Sequence, residues 1–363
     1  MKHIILIVGE ELQINKPFLD YVFRKYENYF GELGMISYAG GGDKELPFYI
    51  ENISKNYECI TIIANDSNFY TLSKILATLS VDTIELKEDT LIPSRAINYA
   101  KNSFLLTLNT ASINLIKATP TKELPSFLQN TKQDSKFFHI LGVDKESAKI
   151  LLEPLSTTYN VNISLTELLP GLTYAKVSAN RYGQIDGFLE SASNLFTGKM
   201  INEKDIVVFV AKKLIQKNLK ITFAESCTSG LCAAKLGSVS GVSSVFDGSV
   251  VTYANSIKHS WIDVSDEVLQ NFGAVSDECV RQMVLGAIKL CSCDFAIAIS
   301  GIAGPDGGSE QKPVGTVYIA VTNKNGEIYT QRLSLSGDRD YIREQSALHA
   351  YTLLLRSYPS LLE

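Results

Sequence analysis

The chain opens on a continuous apolar run, Ile4 to Val8, closed by Gly9. A run of that length with a turn residue behind it is the pattern of a strand buried on both faces. In "FLDYVFRKYENYFGELG", residues 18–34, the apolar positions recur at helical spacing. "YECITIIAND" (57–66) repeats the buried-strand pattern, and "NFYTLSKILATL" (68–79) the helical one. Strand, helix, strand, helix predicts a doubly wound α/β unit. It runs out through "INLIKATPTKELPSFLQ" (113–129) into the polar stretch "NTKQDSK" (130–136), which reads as a linker.

Beyond the linker the pattern changes scale. "FFHILGV" (137–143) and "YAKVSAN" (174–180) are short strands, and "KESAKILLEPL" (145–155) and "GQIDGFLESASNLF" (183–196) are helices, which makes a small α+β unit. The helix "EKDIVVFVAKKLIQKN" (203–218) then begins a third unit. Four strand candidates follow: "KITFA" (220–224), "SVVTYA" (249–254), "DFAIAIS" (294–300) and "VGTVYIAV" (314–321). A hairpin at "NKNG" (323–326) leads to "EIYTQRLSL" (327–335), and "DRDYIREQSALHAYTLLLRS" (338–357) is a closing helix. The expected domains are 1–132, 133–200 and 201–363. The fold class is α/β and multi-domain, with an N-terminal doubly wound domain, a small α+β middle domain and a C-terminal α/β domain.

Composition narrows the function classes. The chain has 363 residues, 45% of them hydrophobic, enough for several cores. A net charge of −5 argues against a general nucleic-acid or membrane-surface binder. The apolar runs are too short to span a bilayer, and no signal-peptide pattern opens the chain. Six cysteines, at 59, 227, 232, 279, 291 and 293, show no CxxC spacing and no nearby histidine pair. That excludes the common zinc sites and suggests reduced thiols in a cytoplasmic protein.

Three stretches can carry chemistry. In "FAESCTSG" (223–230), Ser226 falls where a strand hands over to a helix. Helix-start N–H groups can hold an oxyanion or a phosphate; equally, a serine there can be an ordinary N-cap. In "VVTYANSIKHSW" (250–261) the strand is expected to end at Tyr253, Asn255 to cap a helix, and Lys258 to lie in its first turn. There the helix dipole and burial would lower the lysine's pKa, and a neutral amine can take the proton of a serine hydroxyl. The alternative is a solvated surface lysine. In "SGIAGPDGG" (300–308), Gly301, Gly304, Gly307 and Gly308 let backbone N–H groups converge on an anion, or simply turn the chain. A serine–histidine arrangement is disfavoured: Ser226 is not in a GxSxG elbow, and His259, beside Lys258, would project elsewhere on the helix.

Taken together, "AESCTSG", "FDGSVVTYANSIK", "GAVSDE", "SGIAGPDGGSEQKPVGTVYIAV" and "SGDRDYIREQSALHA", in that order between 201 and 358, closely resemble the C-terminal domain of the CinA family (competence/damage-inducible protein). The resemblance implies a nicotinamide mononucleotide amidohydrolase of pyridine-nucleotide salvage, which releases ammonia and leaves the nicotinate mononucleotide. It puts the nucleophile on Ser226, the lysine on Lys258 and an assisting tyrosine on Tyr253. The candidate oxyanion donors are the N–H groups of Cys227 and Thr228. Gly230, the glycine loop and Arg339 are the remaining substrate-binding candidates, with the loop and Arg339 expected at the 5′-phosphate. Ser229 stands where the family's ESCTGG motif has glycine. No cofactor and no metal are expected in the amidase site, and the family implies a homodimer.

The N-terminal part resembles the family's molybdopterin-binding-like domain in shortened, divergent form, through "ILIVGEEL" (5–12). Where the family has a GGLGPT loop and paired aspartates, this chain reads "ANDSNFYTLSK" (64–74). The family's metal-dependent ADP-ribose pyrophosphatase needs those groups, so a divalent ion is not expected there. Residues 133–200 resemble the family's KH-type middle domain, which in this acidic chain does not imply RNA binding. Two other functions stay open: a non-catalytic binding or regulatory protein, and an N-terminal pyrophosphatase.

Overall fold

The structure is a computed structural model and describes residues 2–130, 135–179 and 182–363. Most of the linker run 130–136 and the last residue of "YAKVSAN" lie outside the described residues. The chain divides into two compact units, Met1–Lys136 and Phe137–Glu363.

The first unit runs β1 (His3–Val8), α1 (Glu10–Gln13), α2 (Lys16–Phe30), β2 (Met35–Ala39), α3 (Leu46–Asn56), β3 (Cys59–Ala64), α4 (Asp66–Leu79), β4 (Ile84–Lys87), β5 (Thr90–Pro93), β6 (Asn98–Ala100), β7 (Ser103–Leu108) and β8 (Ala111–Lys117). Its main sheet has the order β2-β1-β3-β8-β7-β6. The first four strands are mutually parallel; β7 and β6 join antiparallel. Every residue of β3 is buried, as is β1 from Ile4 onward, because helices cover both faces. Ile4 and Leu6 enter a core with α3 and α4, while Ile5 and Ile7 enter one with α2.

In the second unit come β9 (Ser135–Leu141), α5 (Lys145–Thr158), β10 (Val161–Leu169), β11 (Leu172–Ala179), α6 (Ile185–Leu195) and β12 (Met200–Ile201). Then follow α7 (Ile206–Lys217), β13 (Ile221–Glu225), α8 (Leu231–Gly237), β14 (Val250–Val251), α9 (Asn255–Ile262), α10 (Asp266–Asn271), α11 (Asp277–Cys291), β15 (Phe295–Gly301), β16 (Thr316–Asn323), β17 (Ile328–Ser334) and α12 (Arg339–Ser357). The first six elements form a sheet ordered β10-β11-β9-β12 with α5 and α6 packed on it. The later strands form a sheet ordered β14-β13-β15-β16-β17, with β14, β13 and β15 parallel. Among the described residues no helix is long and apolar enough to cross a membrane.

The two faces of this last sheet differ in a way the sequence encodes. Phe223, Ile297 and Ile319 point into a core with α7, α8 and α12. Ala224, Ala296, Ala298 and Ala320 point the other way, against α9 and α11. Large and small residues alternate along β13 and β15, so α9 and α11 lie close to the sheet. The two helices also lie close to each other: a Cβ added to Gly286 on α11 would sit 2.0 Å from the Ile262 carbonyl oxygen at the end of α9. The parallel strands bring three chain ends to one edge: Ser226 after β13, Thr252 after β14 and the glycine loop after β15. Strand order reverses between β13 and β15, the position where open α/β sheets bind ligands.

Candidate active site

Ser226 is 8% exposed, and its N–H donates to Ile299 O at 2.9 Å, which continues the β13–β15 pairing by one residue. The helix expected to begin there does not. Ser229 (φ 52°) and Gly230 (φ 89°) both take left-handed backbone, so α8 starts only at Leu231, with Gly230 as its cap. Ser226 is therefore not an N-cap. The helix-start donors are occupied instead: Cys232 N–H and Ala233 N–H donate to the two carboxylate oxygens of Glu225, at 3.1 and 2.9 Å. Glu225 is fully buried, and its negative charge answers the positive end of α8. The N–H groups of Leu231, Cys232 and Ala233 at the start of α8 are thus all taken, by Thr228 O and the Glu225 carboxylate.

Lys258 lies in the first turn of α9 and is 1% exposed. Two local expectations are corrected. β14 ends at Val251 rather than Tyr253, because as an edge strand it pairs only through Val250 and Val251. Asn255 is the first helical residue and makes no cap; Ala254 holds the cap position. Lys258 Nζ lies 2.7 Å from Thr252 O, 3.1 Å from Tyr253 O and 3.1 Å from Ser226 Oγ. Burial holds its pKa below that of a free lysine, while the Cys279 and Cys227 thiols oppose the shift weakly. As an ammonium, Lys258 donates to all three oxygens. Once deprotonated it would keep two N–H donors for the Thr252 and Tyr253 carbonyls, which only accept, and would turn its lone pair to the Ser226 hydroxyl. Burial pushes the Cys227 thiol up to about 12 and Cys279 up to about 11, so both stay protonated beside the lysine.

The N–H groups of Cys227 and Thr228 donate to no carbonyl among the described residues. Tyr253 is 57% exposed; its carbonyl faces Lys258, and its hydroxyl accepts from Arg339 Nη2 at 3.1 Å. Arg339 Nη1 donates to Gly304 O at 2.7 Å. Tyr253 thus meets two separate hydrogen-bonded groups: its carbonyl joins Lys258 and Ser226, and its hydroxyl joins Arg339 and, through it, Gly304. Gly301 closes β15, where a Cβ would meet Thr316 O at 2.9 Å. Gly304 (φ 83°) and Gly307 (φ 89°) need glycine's backbone freedom. The N–H groups of Gly304, Gly307 and Gly308 donate to nothing among the described residues, and Gly307 and Gly308 lie on an exposed stretch. None of the four histidines hydrogen-bonds Ser226; His259 Nδ1 donates to Val264 O. Among the described residues, no group of three or more histidine, cysteine, aspartate or glutamate side chains could hold a metal ion.

Two residues escaped the sequence reading. One is Glu225, whose partners lie seven and eight positions ahead. The other is Arg343, whose Nη2 donates to Thr228 O at 2.9 Å from one turn beyond Arg339. The i, i+4 spacing of the two arginines on one helix face was the available signal. Ser229 Oγ adds a 3.3 Å donation to Ser226 O, from a position whose left-handed backbone explains the family's glycine.

The family model for the CinA C-terminal domain matches residues 203–358. A CinA-like protein of Fervidobacterium nodosum is 48% identical over 156 residues, 43% of this chain and 38% of that protein. A competence-damage inducible protein of a Thermoanaerobacter species is 31% identical over 263 residues, 67% of this chain and 63% of that protein. The chain thus matches less than two thirds of either of these relatives. The nicotinamide-nucleotide amidohydrolase PncC of Enterobacter agglomerans is 41% identical over 160 residues, 44% of this chain and 96% of that protein. With nearly the whole of that shorter relative covered, and the resemblance in the other extending well beyond the matched domain, the chain belongs to the CinA family.

Proposed function

We propose that the second unit hydrolyses the carboxamide of nicotinamide mononucleotide, giving nicotinate mononucleotide and ammonia. The observation that carries this reading is the buried amine of Lys258, with depressed pKa, 3.1 Å from Ser226 Oγ. The name of the Enterobacter relative supports the substrate. Ser226 Oγ attacks the carboxamide carbon while its proton passes to Lys258 Nζ, so a C–O bond forms and the carbonyl becomes an oxyanion. The N–H groups of Cys227 and Thr228 stabilise that oxyanion. Collapse breaks the C–N bond, and Lys258 returns the proton to the leaving nitrogen, which departs as ammonia. A water molecule then attacks the Ser226 ester, with Lys258 again the base, and releases the acid and the free serine.

The substrate's 5′-phosphate uses the unpaired N–H groups of the glycine loop and the Arg339 guanidinium. Arg339 also fixes the Tyr253 hydroxyl, which assists proton transfer. The start of α8 is not available for the phosphate, since Glu225 holds it. The test is ammonia release from the mononucleotide by the purified full chain and by its Ser226→Ala and Lys258→Arg variants. The reading expects turnover in wild type and a loss of several orders of magnitude in both variants. Arginine stays protonated in proteins and cannot act as the base. No turnover by wild type, or near-normal turnover by either variant, contradicts it.

A further inference from the structure

Both terminal nitrogens of Arg339 already hold an oxygen, Nη1 that of Gly304 and Nη2 that of the Tyr253 hydroxyl. A second cation, Lys312, lies further along the glycine loop and is half-buried. Ser309 N–H donates to Lys312 O at 2.9 Å, and Lys312 N–H to Ser309 Oγ at 3.1 Å, which closes a tight turn. That turn brings the residues after Lys312 back beside Gly308: a Cβ added to Gly308 would lie 2.9 Å from Val314 N and 3.4 Å from the Pro313 carbonyl carbon. Lys312 therefore shares one end of the loop with the unpaired Gly308 N–H.

The amine itself is anchored to the turn between α10 and α11. Lys312 Nζ donates to Phe272 O at 2.8 Å, and a Cβ on Gly273 would lie 3.7 Å from it. The same turn is tied to the end of β15. Ser300 Oγ donates to Ala274 O at 2.6 Å, and Ser300 follows Ile299, whose carbonyl accepts from Ser226 N–H. The Cys279 thiol, in the first turn of α11, feels the charges of both Lys258 and Lys312, which oppose the rise that burial causes. An ammonium has three N–H donors. One is on Phe272 O; the other two meet no acceptor and no carboxylate among the described residues. A half-buried cation with two free donors, next to an unpaired backbone N–H, suits a phosphate, which accepts charge-assisted hydrogen bonds on several oxygens.

We propose that Lys312 is a specificity-determining residue: its two free N–H groups bind the substrate's 5′-phosphate together with the Gly308 N–H, and through them the site separates a nucleotide from its riboside. The identity of that substrate rests on the amidase reading; the binding of a phosphate monoester beside the loop does not.

Calorimetry titrates ribose 5-phosphate and, separately, ribose into the full chain carrying Ser226→Ala, alone and with Lys312→Gln or Lys312→Arg added. Glutamine removes the charge and keeps an N–H donor for Phe272 O; arginine keeps the charge. Ribose 5-phosphate is expected to bind saturably and ribose not to, and Lys312→Gln to weaken that binding about tenfold or more, with Lys312→Arg losing less. With Ser226 intact, Lys312→Gln is expected to lower the ratio of kcat/KM on the mononucleotide to that on the riboside about tenfold or more, with the loss in KM. No binding of ribose 5-phosphate at about 10 mM, or binding that Lys312→Gln leaves unchanged, overturns the proposal. So does a Lys312→Gln variant that slows both substrates by the same factor, because a lysine that only braces Phe272 O cannot tell them apart. A wild type that releases no ammonia sinks the amidase reading, while the titration still decides whether Lys312 binds the phosphate.

Discussion

Gly286→Ala should damage catalysis far more than stability, although Gly286 touches no substrate. An added Cβ would lie 2.0 Å from Ile262 O, against 3.4 Å for ordinary contact, a shortfall of 1.4 Å. The Ile262 carbonyl belongs to the last residue of α9, one turn beyond Lys258, so relief requires α9 to move away from α11. Lys258 reaches Ser226 across 3.1 Å, and a shift of about 1 Å removes that contact. Misplacement of that size costs about a hundredfold in rate. Overpacking costs about 1–3 kcal/mol, and alanine's helix propensity returns about 1 kcal/mol of it. The net loss of about 0–2 kcal/mol lowers Tm by at most several degrees. The assay is kcat for ammonia release beside a thermal melt, with Gly237→Ala as control because open space surrounds that position. Full kcat in Gly286→Ala at an unchanged Tm would refute the claim that α9 is held in place by its closeness to α11.

Other outcomes follow from the same geometry. kcat/KM should rise with pH through a pKa below that of free lysine, as Lys258 loses its proton. Because its folded pKa is depressed, the unfolded chain binds more protons between the folded value and about 10.4, so Lys258 should make stability rise with pH there, and Lys258→Met should flatten that slope. Ser229→Val places a β-branched residue in left-handed backbone and should cost about 1–3 kcal/mol in a denaturant melt, whereas Ser229→Gly should stay within about 1 kcal/mol of wild type. Arg343→Met should lower kcat equally on mononucleotide and riboside, since Arg343 holds the Thr228 carbonyl; a KM effect confined to the mononucleotide would assign it to the phosphate.

The alternating helices and apolar strands of both units were legible because burial on both faces leaves uninterrupted runs such as Ile4–Val8 and Phe295–Ile299. The segment between α4 and β8 was not. Its short strands are separated by turns at Glu88–Asp89, Asn102 and Asn109, which take left-handed backbone without any glycine to mark them. Ser226, Lys258 and Arg339 were legible as a constellation because motif order carries them. The local geometry around them was not. Two successive left-handed residues delay α8 to Leu231, and the Glu225 carboxylate caps that helix from seven residues upstream, a contact no periodicity encodes.

In the proposed reaction Ser226, activated by Lys258, forms a covalent ester with the acyl group. Rapid quenching of the full chain during turnover of the mononucleotide, followed by tryptic digestion and mass spectrometry, tests it directly. Cleavage after Lys220 and Lys235 isolates residues 221–235 in one peptide. The expected result is an acyl adduct on Ser226 that is absent in Ser226→Ala and Lys258→Arg. Steady ammonia release with no adduct on that peptide, or an adduct on Cys227 in its place, would contradict it.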